Sequence, residues 1–357
     1  MSERLFTIDN APGAGRGVFA TQDIPTGTHI LTASDLTVHV LFRDYRGEVC
    51  SHCFSYDLGV KQPIKDTTHG LAFCSEQCQL AFFPTSGDLC MAARAAIEKI
   101  IKTKQNSNQH ADTLLGPRPT PDEIRKAWTA AETQAALIRT ARIGKPPPTK
   151  SRLRALSRAL STPVSPDVLT FLLTSVLSSC TSSKSSDKQT LLCGLESEST
   201  PYLSSHELDE YISSYLQLLA VLPVEILPFV SGAELHEMKS RETHNSFGIR
   251  SLFDGGSEFF GYGVWPSASY FNHSCDPNLA RRREGRDWVF STGREVKRGE
   301  QLYISYVNGG KEELRDEKGE VMGWEERGRL LKKTWGFDCA CGRCAKEKGA
   351  KISVERV

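Results

Sequence analysis

A chain of 357 residues, 39% of them hydrophobic, has room for one large domain or two ordinary ones and for a sizeable core. A formal charge of +1 argues against a strongly electrostatic nucleic-acid binder. The polar start MSERLFTIDN lacks the apolar core of a signal peptide, and the greasiest stretch, YLQLLAVLPVEILPFV from Tyr215, is broken by two prolines and a glutamate; the expectation is a soluble intracellular protein outside the membrane.

Residues 1–48 read as strands and turns. APGAGRGVFATQDIPTGTHIL is punctuated by Gly and Pro, and LTVHVLF (Leu36–Phe42) has the β-branched content of a strand. Residues 50–90 form a cysteine-bearing island with no long periodic segment. In PTPDEIRKAWTAAETQAALIRTARIG, Thr120 is the N-cap and Pro121 the first helical residue. A stripe of Ile124, Ala127, Trp128, Ala131, Ala135 and Ile138 follows, and Gly144 ends it. SPDVLTFLLTSVLSS starts a second helix at Ser165. Ser204 with Glu207, and Ser231 with Glu234, fit capping boxes. Ser178–Thr190 is Ser-rich and reads as a mobile loop. Strand signals return after Asn245, in FGIRSLF, FFGYGVW, DWVFST and EQLYISYV, and a short helix, GWEERGRLLKKTWG, leads to a last cysteine cluster. RRREGR (Arg281–Arg286) reads as a solvated hairpin. The pattern is α+β: one β domain split by a cysteine island and a helical insertion.

The 11 cysteines cluster, and without a signal peptide that favours zinc over disulfides. Cys50 and Cys53 make a tight knuckle, and Cys74 and Cys78 stand one helical turn apart; together they complete a tetrahedral shell. Cys339, Cys341 and Cys344 in CACGRC lack a fourth ligand, for which Cys275, inside YFNHSCDPN, is the best candidate. Cys90, Cys180 and Cys193 have no close partner in the sequence, and His52 and His69 read as packing or surface residues.

Four motifs now stand in order: GAGRGVFA (Gly13–Ala20), NHSCDPN (Asn272–Asn278), GEQLYISYV (Gly299–Val307) and CACGRC. Their order resembles a SET-domain protein lysine methyltransferase with a post-SET segment, and the island resembles a MYND finger, so the whole is similar to the SET-and-MYND group. The finger is halved: ligands for its second zinc are missing, with Cys90 as a remnant at most, and the C-terminal helical domain of larger relatives is not seen in this sequence. The division that follows is 1–49 and 241–310 for the SET domain, 50–90 for the finger, 91–240 for the helical insertion and 311–357 for the post-SET segment.

The resemblance implies a mainly β SET domain of several small sheets with pseudoknot threading near NHSC. It also implies methyl transfer from S-adenosylmethionine to a lysine amine, with two structural zinc ions. Gly15, Arg16 and Gly17 would contact the cofactor, with Asn272, His273, Asn245 and Ser269 around it. Tyr306 matches the catalytic tyrosine and also touches cofactor; Phe337 would cover the cofactor or line the lysine channel. Tyr262 and Trp265 are either channel walls or core. The partner implied is a lysine-containing protein, histone or non-histone, for a monomeric enzyme of nucleus or cytoplasm without sequence-specific nucleic-acid binding. The competing reading is a zinc-bearing interaction protein on an inactive SET scaffold.

Overall fold

The computed structural model describes residues 5–103, 116–144, 147–181, 187–253, 256, 258–307 and 321–354. Twelve strands appear among them. In chain order they are β1 (Phe6–Asn10), β2 (Arg16–Ala20), β3 (His29–Ala33), β4 (Val38–Leu41), β5 (Ile64–Asp66), β6 (Leu71–Phe73), β7 (Ser246–Arg250), β8 (Phe259–Val264), β9 (Asn272–His273), β10 (Leu279–Glu284), β11 (Asp287–Thr292) and β12 (Gln301–Ile304). The helices are α1 (Glu76–Thr103), α2 (Pro121–Ile143), α3 (Lys150–Ser161), α4 (Pro166–Thr181), α5 (Asp187–Cys193), α6 (Ser205–Val221), α7 (Gly232–Asn245), α8 (Trp324–Trp335) and α9 (Gly342–Val354). The chain divides into two compact units: residues 1–35, 252–256 and 265–357 form one, and residues 36–251 and 257–264 the other.

The first unit is built on two small sheets. One has the order β1-β2-β12-β9 and the other β10-β11-β3. β1 and β2 form a hairpin, because Gly13 (φ 75°) and Gly15 (φ 68°) take the left-handed backbone its turn needs. β12 lies antiparallel to β2 and parallel to β9 (Tyr303↔Asn272, Ile304↔His273), and the Ser274 N–H donates to the Ile304 carbonyl (2.9 Å). The NHSC segment is therefore laced through β12 into a sheet whose other strands, β1 and β2, come from the start of the chain, in keeping with the threading that the SET resemblance implies. Asn278 locks it: its Nδ2 donates to the Gln301 carbonyl (2.8 Å), and its Oδ1 accepts from the Tyr303 N–H (2.7 Å). Helix α8 ends at Gly336, in the left-handed conformation, which turns the chain into the last cysteines.

The second unit joins a sheet β4-β8-β7, the hairpin β5-β6 and seven helices among its described residues. Helix α2 starts with the full capping box of Thr120 and Glu123, and its stripe of Ile124, Trp128, Ala131, Ala135 and Ile138 is buried. At α6 the box is altered: Ser204 accepts from the Glu207 N–H (3.1 Å), but Glu207 reaches the N–H of Leu203, one residue further back (2.6 Å). Helix α4 is buried over Leu169 and Phe171–Leu177 and packs on β4, α1 and α6. A buried ion cluster lies beneath α7: Lys239 Nζ stands 3.2 Å from Glu207 Oε1 and 3.2 Å from Glu242 Oε2. Burial opposes its charge, yet the two carboxylates hold its pKa above the ordinary lysine value.

Two local readings change. The cysteine island is not free of long structure: α1 begins at Glu76 inside it, and the periodicity is hidden because Gly87 (φ 67°, ψ 158°) breaks the helix in the middle. The Ser-rich stretch is flanked more closely by helix than the composition suggests, since α4 runs to Thr181 and α5 starts at Asp187; residues 182–186 lie outside the described residues. Among the described residues, no single helix is long and apolar enough to cross a membrane.

Candidate cofactor site and metal centres

The finger cysteines converge. Phe54, with φ 62°, turns the chain sharply after Cys53, and its N–H donates to the Cys50 carbonyl (2.9 Å). Cys74 and Cys78 come from the start of α1. The four sulfurs lie within 4.8 Å of one another, with Cys53–Cys74 at 3.6 Å and Cys74–Cys78 at 3.4 Å. A tetrahedral zinc with Zn–S of about 2.3 Å sets its sulfurs ~3.8 Å apart, so this cage fits one zinc ion. Phe73, Phe82 and Met91 pack behind it. His69 is no ligand: its Nδ1 meets Asp66 Oδ2 at 2.6 Å.

Cys275, Cys339, Cys341 and Cys344 form a second cage, again within 4.8 Å, with Cys275–Cys344 at 3.5 Å and Cys275–Cys339 at 3.9 Å. The fourth ligand expected from the NHSC turn is in place, and this cage also fits one zinc ion. Arg327, buried on α8, supports it: Nη2 donates to Cys344 Sγ (3.6 Å) and to Glu347 Oε2 (2.8 Å). Arg343 donates to the Cys275 carbonyl (3.3 Å). A guanidinium beside thiolates offsets part of their charge, which makes these arginines outer supports of the cage.

The cage packs against the aromatic cluster of Tyr306, Trp335 and Phe337. Tyr306 and His273 rings lie 5.3 Å apart, Tyr306 and Phe337 6.3 Å, and His273 and Phe337 6.0 Å. The Tyr306 N–H donates to His273 Nδ1 (3.0 Å), so the ring hydrogen sits on Nε2, which faces Cys275 Sγ at 3.3 Å. Burial pushes the His273 pKa down to about 4, so the imidazole is neutral. Burial also pushes Tyr306 up to about 12, against a smaller pull from Arg281; its phenol keeps its proton and donates to the Phe271 carbonyl (3.1 Å).

Next to this cluster lies the Gly-rich turn. Gly15 and Gly17 serve different ends: Gly15 has a positive φ, whereas a Cβ on Gly17 would stand 2.2 Å from Gln301 Nε2 and 2.9 Å from Asn272 Nδ2. Asn272 Nδ2 donates to the Arg16 carbonyl (3.0 Å), and the Arg16 guanidinium lies 5.5 Å from the centre of the Tyr270 ring. Gln301 accepts from the Tyr303 hydroxyl through Oε1 (2.7 Å), while its Nε2 is buried with no hydrogen-bond partner. The structure thus brings Gly15, Arg16, Gly17, Asn272, His273, Tyr306 and Phe337 together on one sheet and the four-cysteine cage at its flank. Ser269 closes a turn, its hydroxyl donating to the Trp265 carbonyl (3.0 Å). Asn245 belongs to the second unit, at the end of α7, where Nδ2 donates to the carbonyls of Glu196 (2.9 Å) and Arg241 (2.6 Å). Trp265 is fully buried and donates to the Arg286 carbonyl (3.0 Å). Tyr262 is packed in the second unit against Phe42 and Phe171.

The arginine run is not a solvated hairpin throughout. β10 alternates: Arg282 is exposed and pairs with Glu284 (2.7 Å), Arg283 is buried on the Gly285 carbonyl, and Arg281 lies over the Trp288 ring at 5.5 Å. Burial lowers Arg281 to about 10, with the field of Tyr306 opposing. Cys90 does have a neighbour: burial raises its pKa first, then Cys180 of α4 adds to the rise. Sequence reading missed Gln301, Arg281, Trp335 and Arg327 as part of the site. Gln301 stands inside GEQLYISYV; the other three carry no signal that spacing reveals.

The SET domain family profile matches residues 15–307. The chain belongs to the SET domain family. Within this SET domain, the Gly-rich turn, β9 and β12 carry the three motifs. The potential protein lysine methyltransferase SET6 of Saccharomyces cerevisiae is 26% identical over 382 residues, covering 96% of this chain and 95% of that one. A SET and MYND domain-containing protein of Dictyostelium discoideum is 39% identical over 111 residues, 31% of this chain and 25% of its own. Human histone-lysine N-methyltransferase SMYD3 is 31% identical over 111 residues, 31% of this chain and 23% of its own. The last two matches thus span a quarter or less of those relatives. The crystal structure of the SET domain of LSMT bound to lysine and AdoHcy superposes with a TM-score of 0.28 at 13% identity, over 95% of this chain and 53% of that one. The chain is thus similar to SET and MYND domain-containing proteins over part of their length, and it has a four-cysteine cage at Cys50, Cys53, Cys74 and Cys78.

Proposed function

We propose that this SET domain protein is an S-adenosylmethionine-dependent protein lysine N-methyltransferase. The observation that carries this reading is the setting of Tyr306: a protonated, half-buried phenol whose main chain is held by His273 and whose ring stands against Phe337 beside the four-cysteine cage. The residues fit the cofactor, because Gln301 Nε2, beside the Gly17 main chain, is a buried donor without a partner. Gly15, Arg16 and Gly17 would let main chain approach it, with Asn272, Gln301 and Ser269 beside them. The His273 ring is committed to Tyr306 and Cys275, so contact from His273 falls to its main chain. When bound, the cofactor supplies an electrophilic methyl group on a sulfonium.

The rest is work for this chain's own residues. Tyr306, Trp335 and Phe337 present an apolar wall, and desolvation there lowers the pKa of an incoming lysine from ~10.4 and favours its neutral amine. The Tyr306 hydroxyl hydrogen is spent on the Phe271 carbonyl, which leaves the oxygen lone pairs to stabilise positive charge at the reacting centre. A lysine-containing protein, histone or non-histone, is the substrate class.

The test is calorimetry with S-adenosylmethionine on zinc-loaded protein. Binding on the order of 10 µM, weakened at least about tenfold by Asn272→Ala, is expected. Labelled methyl transfer to lysine peptides should then fall ~10²-fold in Tyr306→Phe with cofactor affinity retained. A folded, zinc-loaded parent that binds no cofactor would return the chain to the interaction-protein reading.

A further inference from the structure

Helix α6 carries His206, Glu210, Ser213 and Gln217 at helical spacing along one face. That face lines a cavity of about 300 Å³ in the second unit. Its apolar walls are Ile100 and Ile101 of α1, Val164, and Leu169 of α4. The volume is at the lower end of small-ligand sites, ~300–1,000 Å³.

Three polar atoms of the α6 face are buried without a hydrogen-bond partner: His206 Nδ1, Glu210 Oε2 and Gln217 Oε1. Gln217 is 0% exposed, and its orientation is fixed, because Nε2 donates to the carbonyls of Ala159 (2.9 Å) and Thr162 (3.2 Å). Its oxygen therefore has no alternative role. Glu210 spends only Oε1, accepting from the Ser165 N–H (3.0 Å). Buried polar groups in folded proteins nearly always find partners, so three along one helix face mark an absent donor. One of the three belongs to a carboxylate; burial raises the Glu210 pKa, and the Ser165 N–H and His206 only partly offset that rise. Arg43 also lines the cavity, but the carboxylates its field reaches are Asp167 and Glu98.

We propose that this cavity binds a cationic N–H donor, an ammonium or guanidinium group on a short apolar stem. The head group would pair with Glu210 Oε2, with His206 Nδ1, one helical turn away, as a second contact, and the stem would lie along the isoleucine and leucine walls toward Gln217. Water could fill the acceptors, but it would bring no charge to offset the burial of the carboxylate.

The test uses the full zinc-loaded chain, with calorimetry and thermal melting. The probes are methylguanidinium, n-butylammonium, N-acetylarginine amide and N-acetyllysine amide, with N-acetylcitrulline amide as the uncharged match. Saturable binding of at least one cation, a concentration-dependent rise in Tm and silence from citrulline are expected. Glu210→Gln should weaken binding at least tenfold. Ser213→Arg, which tethers a cation inside the cavity, should abolish it and raise the Tm of the free protein; it carries the test if Glu210→Gln does not fold. Tighter binding of the blocked amino acids than of the bare ions would assign the site to a peptide side chain, and equal binding to a small cation; either supports the proposal. No saturable binding, equal binding of citrulline, or cation binding unchanged in both variants would overturn it and leave a hydrated cavity. The outcome is independent of methyl transfer, because no cofactor is present.

Discussion

Gly17→Ala tests the packing of the Gly-rich turn directly. Gly17 does not have a positive φ, so alanine carries no backbone penalty there; the cost comes from its Cβ, 2.2 Å from Gln301 Nε2 and 2.9 Å from Asn272 Nδ2. Gln301 is a flexible side chain, but its Oε1 is held by the Tyr303 hydroxyl, and moving the amide breaks that bond. Losing one hydrogen bond costs about 1 kcal/mol. Holding the displaced side chain off its rotamer costs roughly another 1 kcal/mol. Alanine returns about 0.5 kcal/mol by stiffening the unfolded chain. The net is a destabilisation of about 1.5 kcal/mol, read as a shift of the urea midpoint without a change in slope. Because the displaced Gln301 amide carries the unpartnered donor proposed to meet the cofactor, S-adenosylmethionine affinity should also fall at least about tenfold, equivalent to ~1.4 kcal/mol. Gln301→Ala should recover most of the stability in the double variant but not the affinity. Gly13→Ala is the control: φ is 75° and nothing lies within 4 Å of its Cβ, so it should cost about 1 kcal/mol of backbone strain and leave cofactor binding unchanged. A Gly17→Ala protein with parental midpoint and affinity would refute the reasoning.

Three further outcomes follow from the rest of the structure. Lys239→Met leaves Glu207 and Glu242 buried without their cation and should cost ~3–5 kcal/mol in urea unfolding, most of it recovered when both glutamates become glutamine; a cost below 1 kcal/mol would show that water reaches the cluster. Cys341→Ser should free Phe337 from the post-SET cage and abolish cofactor binding, which calorimetry would show, while zinc analysis should still find the finger's ion. Glu198, although burial works to raise it, is held down to about 2 by the Thr200 N–H and by His244. Its folded pKa is below the ordinary 4.5, so its stabilisation is present above pH 4.5 and is lost as pH falls toward 2; Glu198→Gln should flatten that part of the stability profile, and an unchanged profile would discount the contact.

The parts legible in the sequence are those written locally. Thr120, Ser165, Ser204 and Ser231 announce helix starts because a cap needs only the next three residues, and the cysteine pairs announce the cages because a knuckle is short. The zinc ligand from a distance, Cys275, was reachable because three thiolates require a fourth. What escaped depends on register between distant strands. Gln301 meets Gly17 only because β12 pairs with β2, and nothing in either segment states that pairing. The arginine run reads as a block, whereas strand alternation puts Arg281 and Arg283 on the more buried face and Arg282 on the exposed one. Helix α1 escaped because its break at Gly87 interrupts the period, and the neighbourhood of Cys90 and Cys180 arises from the packing of α1 on α4.

The lacing of β12 between β2 and β9 also sets a timetable. The hairpin of β1 and β2 leaves the ribosome long before Gln301–Ile304 exists, and at ~5–20 residues per second the wait is on the order of tens of seconds. During that time β2 presents an unpaired edge, while the cysteine island and the helices that follow have all the chain they need except β8. Maturation therefore runs from the inserted unit outward. The face carrying Tyr306 and Phe337 closes after the inserted unit, when Cys339, Cys341 and Cys344 reach Cys275 and complete that four-cysteine cage.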